Sequence, residues 1–401
     1  MKAGLSSDLG VELCSSSLEG KSIDVVVTGS IGATESVKFV RALRRLGADV
    51  YVYMTQSAGM FVTPIALCWA SSHDVCSEFS GYSSHLVRHD LCVIAPATAN
   101  FISKVVSGIC DDVASALVQS YFGYQRPVMF LPAMHDSLYD SCFVNKNIEI
   151  LSSRAQILSS RESEGKKKFQ DPSILASLVS YYYNKKLRQQ NGSVAESLIT
   201  MGSTKAYVDE VRYISNYSSG ALGSCISEEL FRYGVDTIVL CGNSVIKPRF
   251  YSKLIQEEEF ENFSLEFDSL SKKEWKLAVC LASVLDFIPD HRVQGKIHSS
   301  EDFKSISLVK TPKLISKIKS RIKIGFKLES LSDSKDESRS SVVEDYISKY
   351  NLDYLILNYI EEVSSTSHKA YLYKKNDNEL TSKIDTFNSK QQIASFISRL
   401  I

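Results

Sequence analysis

The sequence lacks the usual marks of a secreted or membrane protein. Its nine cysteines form no CxxC pair and their number is odd, which is typical of reduced thiols inside a cell rather than of a disulfide-bonded domain. No apolar run approaches the roughly 20 residues that cross a bilayer, and residues 1–20 lack the continuous apolar core of a signal peptide. We therefore expect a cytoplasmic protein with no membrane partner.

The sequence also lacks an excess of either charge. Lysine and arginine total 46 and aspartate and glutamate total 46, so no net field draws the chain to nucleic acid. The full GxGxxG pattern of a dinucleotide site is missing too, which argues against a nicotinamide oxidoreductase with two α/β domains. We expect small molecules, bound at local sites, and no nucleic-acid partner.

What the sequence does contain is an alternation of strands and helices in 401 residues, enough for two cores. "SIDVVVTGS", "ADVYVYMT" and "LCVIAP" are strand-like runs, and helical spacing lies between them, including a helix expected from Ser57 to Leu67. This predicts an α/β protein with two doubly wound, mostly parallel-sheet domains. The domains are predicted at 21–182 and 199–401, with a polar linker at 183–198.

The first strand ends in "VTGSIGATES", where small residues precede a helix. Backbone amide groups at such a helix start favour an anion such as phosphate. Taken alone, the stretch is more typical of a tight turn with nothing bound.

Five segments of the first half occur in a fixed order: "TGSIGA", "MTQSAGMFV", "APATAN", "GICDD" and "PAM". Together they resemble the flavoprotein family of phosphopantothenoylcysteine decarboxylases over residues 21–180. The resemblance implies FMN as cofactor and a homo-oligomer, because the flavin of this family lies at a subunit boundary. It implies that the FMN phosphate is lined by Gly29, Ser30, Ala33 and Ser57, and that the flavin ring or a neighbouring subunit is near Thr98 and Asn100.

His85 falls where these decarboxylases carry their catalytic imidazole. An imidazole titrating near neutrality can take the thiol proton of a cysteinyl substrate while the flavin accepts hydride, after which carbon dioxide can leave. Two other interpretations are an ordinary helix histidine and, with His89, an i, i+4 metal pair on a helix. No HExxH and no third ligand accompany the pair, so no protein-bound metal is expected.

Two departures from the family concern the decarboxylase half. His135 stands where an asparagine amide normally holds the substrate carboxylate, and the flap "LSSRESEGKKKFQDP" has no cysteine to protonate the intermediate. Glu162 and Glu164 are candidates for the missing acid. A flavin-binding regulatory pseudoenzyme, or a ligase-only protein with an impaired decarboxylase half, therefore remains an alternative.

The second half carries the string "STKAYVDEVRYISNYSSGALG" at 203–223, followed by "ASVLDF", "GKIHS", "KTPKLI" and "GFKLES". These resemble phosphopantothenate–cysteine ligase, with a Rossmann-like domain, over residues 200–360. The resemblance implies that CTP activates the carboxylate as an acyl-cytidylate with Mg²⁺ bridging the phosphates, although ATP is not excluded as the nucleotide. It implies catalytic roles for Asn216 and Lys296, and substrate binding by Ser218, Ser219, Gly220, Asp286 and Phe326. Lys205 replaces a family arginine.

Both resemblances imply one function in coenzyme A biosynthesis. The ligase half joins 4'-phosphopantothenate to cysteine, and the decarboxylase half converts the product to 4'-phosphopantetheine. The expected small-molecule partners are therefore 4'-phosphopantothenate, cysteine and CTP.

Overall fold

The computed structural model describes residues 9–192, 196–298, 305–331, 336–363, 368–375 and 382–401. Contacts between Cα atoms divide the chain into two units, one of Met1–Asn191 with Arg232–Gly234 and one of Gly192–Phe231 with Val235–Ile401. Both units are α/β with mostly parallel sheets, so the predicted fold class is confirmed. A helix with a buried Tyr183 continues to Gln190, through the first part of the segment predicted as a linker.

The first unit is built from short parallel strands and the helices between them. Its strands are β1 (Ser22–Val27), β2 (Asp49–Met54), β3 (Leu91–Ala97), β4 (Val128–Pro132), β5 (Met134–His135), β6 (Gln156–Ile157), β7 (Arg161–Ser163) and β8 (Lys166–Lys168). Its α-helices are α1 (Ser36–Arg45), α2 (Pro64–Ser71), α3 (Ala99–Val106), α4 (Val113–Gly123), α5 (Asp136–Tyr139), α6 (Cys142–Ser152) and α7 (Pro172–Gln190), with 3-10 helices at Ile31–Glu35 and Gln56–Met60.

The main sheet of this unit has the order β2-β1-β3-β4-β6, and its described pairs are all parallel. Every residue of β3 is buried, as expected for a strand covered by helices on both faces. The chain passes from β1 to β2 on one side and then to β3 on the other. Ligands bind at such a switch point, beyond the carboxyl ends of the strands.

The segment after β2 differs from the single helix expected from Ser57 to Leu67. A 3-10 helix ends at Met60 and a new α-helix begins at Pro64. Proline lacks a backbone N–H and therefore fits the first turn of a helix, and the Thr63 side chain caps that turn by accepting from the Ala66 N–H. The stretch 77–90 contains no helix either, so His85 and His89 do not form the helical pair considered above.

The second unit has a larger sheet. Its strands are β9 (Glu196–Met201), β10 (Lys205–Tyr207), β11 (Tyr213–Ser215), β12 (Asp236–Cys241), β13 (Lys253–Gln256), β14 (Glu274–Cys280), β15 (Phe287–Pro289), β16 (Leu308–Lys310), β17 (Lys319–Glu329), β18 (Tyr354–Tyr359), β19 (Ala370–Lys374) and β20 (Ser382–Phe387). Its α-helices are α8 (Ala221–Arg232), α9 (Phe260–Leu270), α10 (Asp336–Tyr350) and α11 (Lys390–Ser398), with 3-10 helices at Leu314–Lys317 and Ile360–Glu362.

The described strands of this sheet have the order β13-β12-β9-β14-β17-β18-β19-β20. The strands from β13 to β18 run parallel, whereas β19 and β20 are antiparallel additions at one edge. The chain reverses direction across the sheet between β9 and β14, so this unit also has a switch point. Within the described residues, none of the helices in either unit combines the length and apolarity needed to cross a bilayer.

A buried carboxylate lies at the centre of the first sheet. Asp24 on β1 is fully buried and accepts hydrogen bonds from the Tyr121 hydroxyl at 2.7 Å and the His89 Nδ1 at 2.6 Å. The His89 ring also stacks on Tyr51, with ring centroids 4.0 Å apart. His89 is therefore held by packing and by Asp24.

Replacing Asp24 by asparagine is expected to lower the free energy of unfolding of the first unit by about 1–3 kcal/mol. Tyr121 and His89 bind different oxygens of the Asp24 carboxylate, and asparagine replaces one of these acceptors with an NH2 donor. Hydrogen exchange of the β1 and β3 amides would measure the change. The matched variant Asp74→Asn, at an exposed position, should change it by no more than about 0.5 kcal/mol, and equal losses in both variants would contradict the prediction.

Candidate functional site

A cavity of about 650 Å³ opens at the carboxyl ends of β1, β2 and β3, at the first switch point. Four motif residues from three loops line it, namely Thr28, Ser57, Thr98 and Asn100. Its volume is within the range of small-molecule sites in proteins. Residues from three of the sequence motifs therefore meet at one concave site.

The loop after β1 can pack this closely only because residue 29 is glycine. A Cβ atom added to Gly29 would lie 2.6 Å from the Ser57 Cβ, closer than real Cβ contacts. Thr28 joins the loop to the end of β3, because its Oγ1 donates to the Pro96 carbonyl at 2.7 Å and accepts from the Thr98 N–H at 3.1 Å. The Thr98 side chain in turn caps α3.

A charged pair on the cavity wall was not singled out from the sequence. Lys104 binds Asp111 with an Nζ–oxygen distance of 2.8 Å, and Asp112 caps α4 by accepting from the Ser115 N–H. Hydrogen bonding from Lys104 lowers the pKa of Asp111. The "GICDD" motif was the available signal for this pair, but its lysine partner lies seven residues away and is recognised only in the fold.

A second cavity of about 480 Å³ lies on the other side of the same loop. Ser30, Gly32 and His135 line it, and the Ser30 Oγ is buried without a hydrogen-bond partner among the described residues. An unsatisfied buried hydroxyl is costly unless a ligand or water completes it. Ala33 is fully buried in the apolar core, and its side chain lines neither of the two cavities.

The flap forms one wall of the second cavity. It is a three-stranded sheet, β5-β8-β7, in which His135 pairs with Lys166 and Lys166 pairs with Ser163. Each of these strands has only two or three residues, too few to show a periodic pattern in the sequence. Arg161 and the lysines of β8 make the cavity wall cationic.

Both candidate flap acids are paired with lysine. Glu162 binds Lys167, and Glu164 lies 2.6 Å from the Lys168 ammonium. The hydrogen bond from Lys168 lowers the pKa of Glu164, and the hydrogen bond to Glu162 raises the pKa of Lys167. The lowered pKa makes Glu164 a poor proton donor, and the Glu162 carboxylate is occupied by its contact with Lys167.

The two histidines of interest lie in different surroundings. His135 caps α5, where its Nδ1 accepts from the Ser137 N–H at 3.2 Å. His85 lies in the loop before β3, with its ring 5.8 Å from Phe79, which lines the first cavity. The His85 Nδ1 is buried without a partner among the described residues, but His85 itself does not line either cavity.

In the second unit the motif residues surround the end of β9. Gly220 has a φ of +77°, and a Cβ there would lie 2.5 Å from the Ile246 carbonyl and overlap Ser244, so only glycine fits before α8. The Ser219 carbonyl accepts from the Ile246 N–H at 2.9 Å. Ser218 is half-buried beside it. This turn brings "SSG" to the carboxyl edge of the sheet.

Asn216 reaches the neighbouring strand. Its Nδ2 lies 3.4 Å from the carbonyl oxygens of Ser283 and Val284, in the loop that follows β14. Asp286 continues this loop, is exposed, and binds Lys313. Asn216 therefore follows β9 and Asp286 follows β14, the two strands at the second switch point.

Lys296 is exposed, but the backbone beside it is anchored by a buried acid. Asp209 is fully buried and accepts from the N–H groups of Val211, Arg212 and Ile297. Burial raises the pKa of Asp209, but these hydrogen bonds and the Arg212 guanidinium outweigh it and bring the pKa to about 2. The sequence string "DEVR" thus holds the segment that contains Lys296.

Two other residues of the ligase motifs lie on strands of the second unit. Phe326 lies near the end of β17 and pairs with Ile356 of β18. Lys205 binds Glu258 at 2.6 Å and lies 4.9 Å from the Tyr213 ring centre. Ser299, at the end of "GKIHS", lies outside the described residues.

Comparison with known proteins matches both halves of the chain. The family profile described as "Flavoprotein" matches residues 13–181, and the profile "DNA/pantothenate metabolism flavoprotein C-terminal domain" matches residues 193–401. Among solved structures, the DNA/pantothenate metabolism flavoprotein from Streptococcus pneumoniae is 22% identical with a TM-score of 0.44, and the match covers 51% of this chain and 97% of that one.

Curated relatives match across both halves at once. The coenzyme A biosynthesis bifunctional protein CoaBC of Thermococcus kodakarensis is 32% identical, over 88% of this chain and 89% of the relative. The protein of the same name from Methanocaldococcus jannaschii is 30% identical, over 85% and 84%. The chain belongs to the family of bifunctional coenzyme A biosynthesis proteins, and it combines a phosphopantothenoylcysteine decarboxylase half with a phosphopantothenate–cysteine ligase half.

Proposed function

We propose that this chain joins 4'-phosphopantothenate to cysteine through an acyl-cytidylate formed from CTP, and then decarboxylates the adduct to 4'-phosphopantetheine with FMN. The observation that carries the proposal is the grouping of motif residues at the two switch points, with Thr28, Ser57 and Thr98 around one and Asn216 and Asp286 around the other. The domain limits 21–182 and 199–401 are proposed to bound the two activities.

In the decarboxylase half the residues present fit a flavin phosphate. Gly29 allows the close approach of Ser57, and the buried Ser30 Oγ needs a hydrogen-bond partner. We assign the cofactor to Gly29, Ser30, Ser57, Thr98 and Asn100. FMN, when bound, supplies the hydride chemistry that makes the substrate lose carbon dioxide. Ala33 supports the loop from the core.

His85 is proposed to hold the thiol proton of the substrate. Its Nδ1 is unpartnered among the described residues and its ring contacts Phe79 at the cavity. An imidazole can take the proton when the thiol is oxidised and return it when the product thiol forms. His135, in the second cavity, is proposed to bind the substrate carboxylate.

In the ligase half the carboxylate must be activated, because it is a poor electrophile. The Lys296 ammonium is proposed to stabilise charge at the reacting α-phosphate, and Asn216 to hold the acyl-cytidylate for attack by cysteine. Ser218, Ser219 and Gly220 present hydroxyl and amide groups to an anionic substrate. Asp286 and Phe326 are assigned to the nucleotide, with Mg²⁺ bridging its phosphates.

The protein is proposed to be a cytoplasmic homo-oligomer. Ile31, Met60 and Ile65, in elements next to the flavin cavities, are 75%, 77% and 82% exposed. Large apolar side chains exposed together mark protein contact sites. All nine cysteines lie in the described part of the chain and none is joined in a disulfide, which fits a reducing compartment.

One assay tests both activities. The full chain is given 4'-phosphopantothenate, cysteine, FMN and Mg²⁺ with CTP or ATP, and the products are identified by mass. We expect 4'-phosphopantetheine with CTP. His85→Asn should stop at the cysteine adduct, with a loss of decarboxylation on the order of 100-fold or more, whereas His73→Asn should not. Unchanged product formation by His85→Asn would refute the role of His85, and no adduct with either nucleotide would refute the ligase.

Gly29→Ala is expected to reduce the flavin content of the purified protein strongly, because its Cβ would overlap Ser57. Gly59→Ala is the matched control, since Gly59 lines the same cavity and a Cβ there meets nothing within 4 Å. The ratio of flavin to protein absorbance measures both variants. Equal flavin contents would mean that the approach of the two loops does not shape the flavin site.

Asp209→Asn is expected to lower ligase turnover on the order of 10- to 100-fold, because the backbone beside Lys296 loses its acceptor. The pKa of about 2 lies below the ordinary value of 3.8, so the carboxylate stabilises the fold above about pH 4 and loses this effect as pH falls toward 2.

The stability difference between Asp209→Asn and the parent chain, measured by urea unfolding, should therefore shrink over that pH range. Glu210→Gln, at the exposed neighbour, is the control and should keep both properties. A difference that persists at pH 2 would contradict the assigned ionisation.

A further inference from the structure

The proposed decarboxylase reaction needs a proton donor that has not yet been assigned to a residue. When carbon dioxide leaves, the carbon that held it needs a proton, and the flap has no thiol to supply one. Glu162 and Glu164 are each bound to a lysine of β8. The remaining candidate is His135, which lines the same cavity.

The hydrogen bonds of His135 use one of its two ring nitrogens. The Nδ1 accepts from the Ser137 N–H at 3.2 Å and lies 2.8 Å from the Ser137 Oγ. In the neutral ring the proton is therefore on Nε2, which makes no hydrogen bond within the described residues. In the charged ring the Nδ1–H can donate to the Ser137 Oγ instead. Ser137 can thus hold the ring in both protonation states.

Charged side chains of both signs surround His135. The cavity lining contains Glu35, Arg161, Lys166, Lys167, Lys168 and Asp171, and Asp136 follows His135 in α5. The cationic side chains of this lining attract an anionic substrate. A substrate carboxylate next to Nε2 accepts a hydrogen bond from the Nε2–H, and the proton that this nitrogen later gives up is replaced from water.

We propose that His135 both holds the substrate carboxylate and protonates the carbon left after decarboxylation, and so replaces two separate groups with one imidazole. This inference rests on the proposed decarboxylase function. A donor hydrogen-bonded to the carboxylate already lies next to the carbon that bears it. An asparagine amide can hold the same carboxylate but has no acidic proton to give.

Each bond that breaks in the proposed step is matched by a bond that forms. The carbon–carbon bond to the carboxylate breaks, and its electron pair enters the conjugated enethiolate. The His135 Nε2–H bond breaks and its proton forms the new carbon–hydrogen bond, which restores a thioaldehyde. The hydride first taken from the substrate is returned to the thioaldehyde carbon, and the proton held by His85 returns to sulfur. Overall one proton is taken from water and one carbon dioxide is released.

The decisive variant is His135→Asn in the flavin-loaded full chain, with 4'-phosphopantothenoylcysteine supplied under anaerobic conditions. We expect one round of carbon dioxide release, a flavin that stays reduced, and a product lighter than 4'-phosphopantetheine by two hydrogen atoms. Multiple turnover should fall on the order of 100-fold or more. Glu162→Gln and Glu164→Gln should complete the reaction and are the matched controls.

A thiol placed in the same cavity should restore the missing step. Arg161 lines the cavity from the flap, so Arg161→Cys in the His135→Asn background is expected to regain turnover to 4'-phosphopantetheine. Nitrogen NMR of histidine in the flavin-free chain gives an independent measurement. It should show the neutral His135 ring protonated on Nε2, and a proton on Nδ1 would overturn the proposal.

The outcomes separate this inference from the function on which it rests. If the parent chain releases no carbon dioxide, the decarboxylase function itself is wrong. If the parent chain is active and His135→Asn completes the reaction at a similar rate, or releases no carbon dioxide at all, His135 is not the proton donor. A stall in Glu162→Gln or Glu164→Gln would assign the step to that glutamate instead.

Discussion

Two neighbouring parallel strands whose connections leave to opposite sides of the sheet create a crevice at their carboxyl ends, and the rest of this molecule depends on two such crevices. β1 and β3 form the first, and β9 and β14 form the second. The loops around each crevice pack closely against one another. Glycine permits this at Gly29, against Ser57, and at Gly220, against Ser244. Side chains at either position would push the motif loops apart.

Electrostatics divides the first unit into two regions with different tasks. Asp24 lies at the centre of the sheet, where the Tyr121 hydroxyl and the His89 ring satisfy it. The flap, in contrast, collects lysine and arginine side chains beside an open cavity. A buried acid with full hydrogen bonding stabilises the fold, whereas exposed cations next to a cavity attract an anionic substrate. The two departures from the family, a histidine for an asparagine and a flap without a thiol, meet in this cationic cavity.

In the second unit a buried acid also stabilises the fold, and it does so next to Lys296, a predicted site residue. Asp209 receives three backbone N–H groups, one of them beside Lys296. A carboxylate with several such donors has a low pKa and stays charged at neutral pH. The backbone beside the exposed Lys296 is therefore held in place while its side chain remains exposed.

Much of the architecture was available from the sequence, and so were the motifs whose residues meet at the switch points. Apolar runs alternating with helical spacing predict parallel sheets, because a strand covered on both faces must be apolar throughout. Ordered motifs such as "APATAN" and "ISNYSSG" name residues that do meet at the switch points, because such loops all leave the same edge of a sheet. The bounds of single helices were harder to predict. One expected helix is divided before Pro64, and another continues through 183–190, where Tyr183 is buried.

Only the tertiary structure decided how those residues interact. The flap strands, the pairing of both flap glutamates with lysine, the burial of Ala33 and the anchoring of Lys296 by Asp209 all depend on contacts between segments, or on strands too short to have a period. The same applies to His135, whose residue type is visible in the sequence but whose free nitrogen is set by Ser137 and by the cavity around it. The sequence by itself determined which chemical groups are present and in what order, because motifs are local. Distance, burial and charge pairing were decided by the fold, because they arise between residues that only folding brings together.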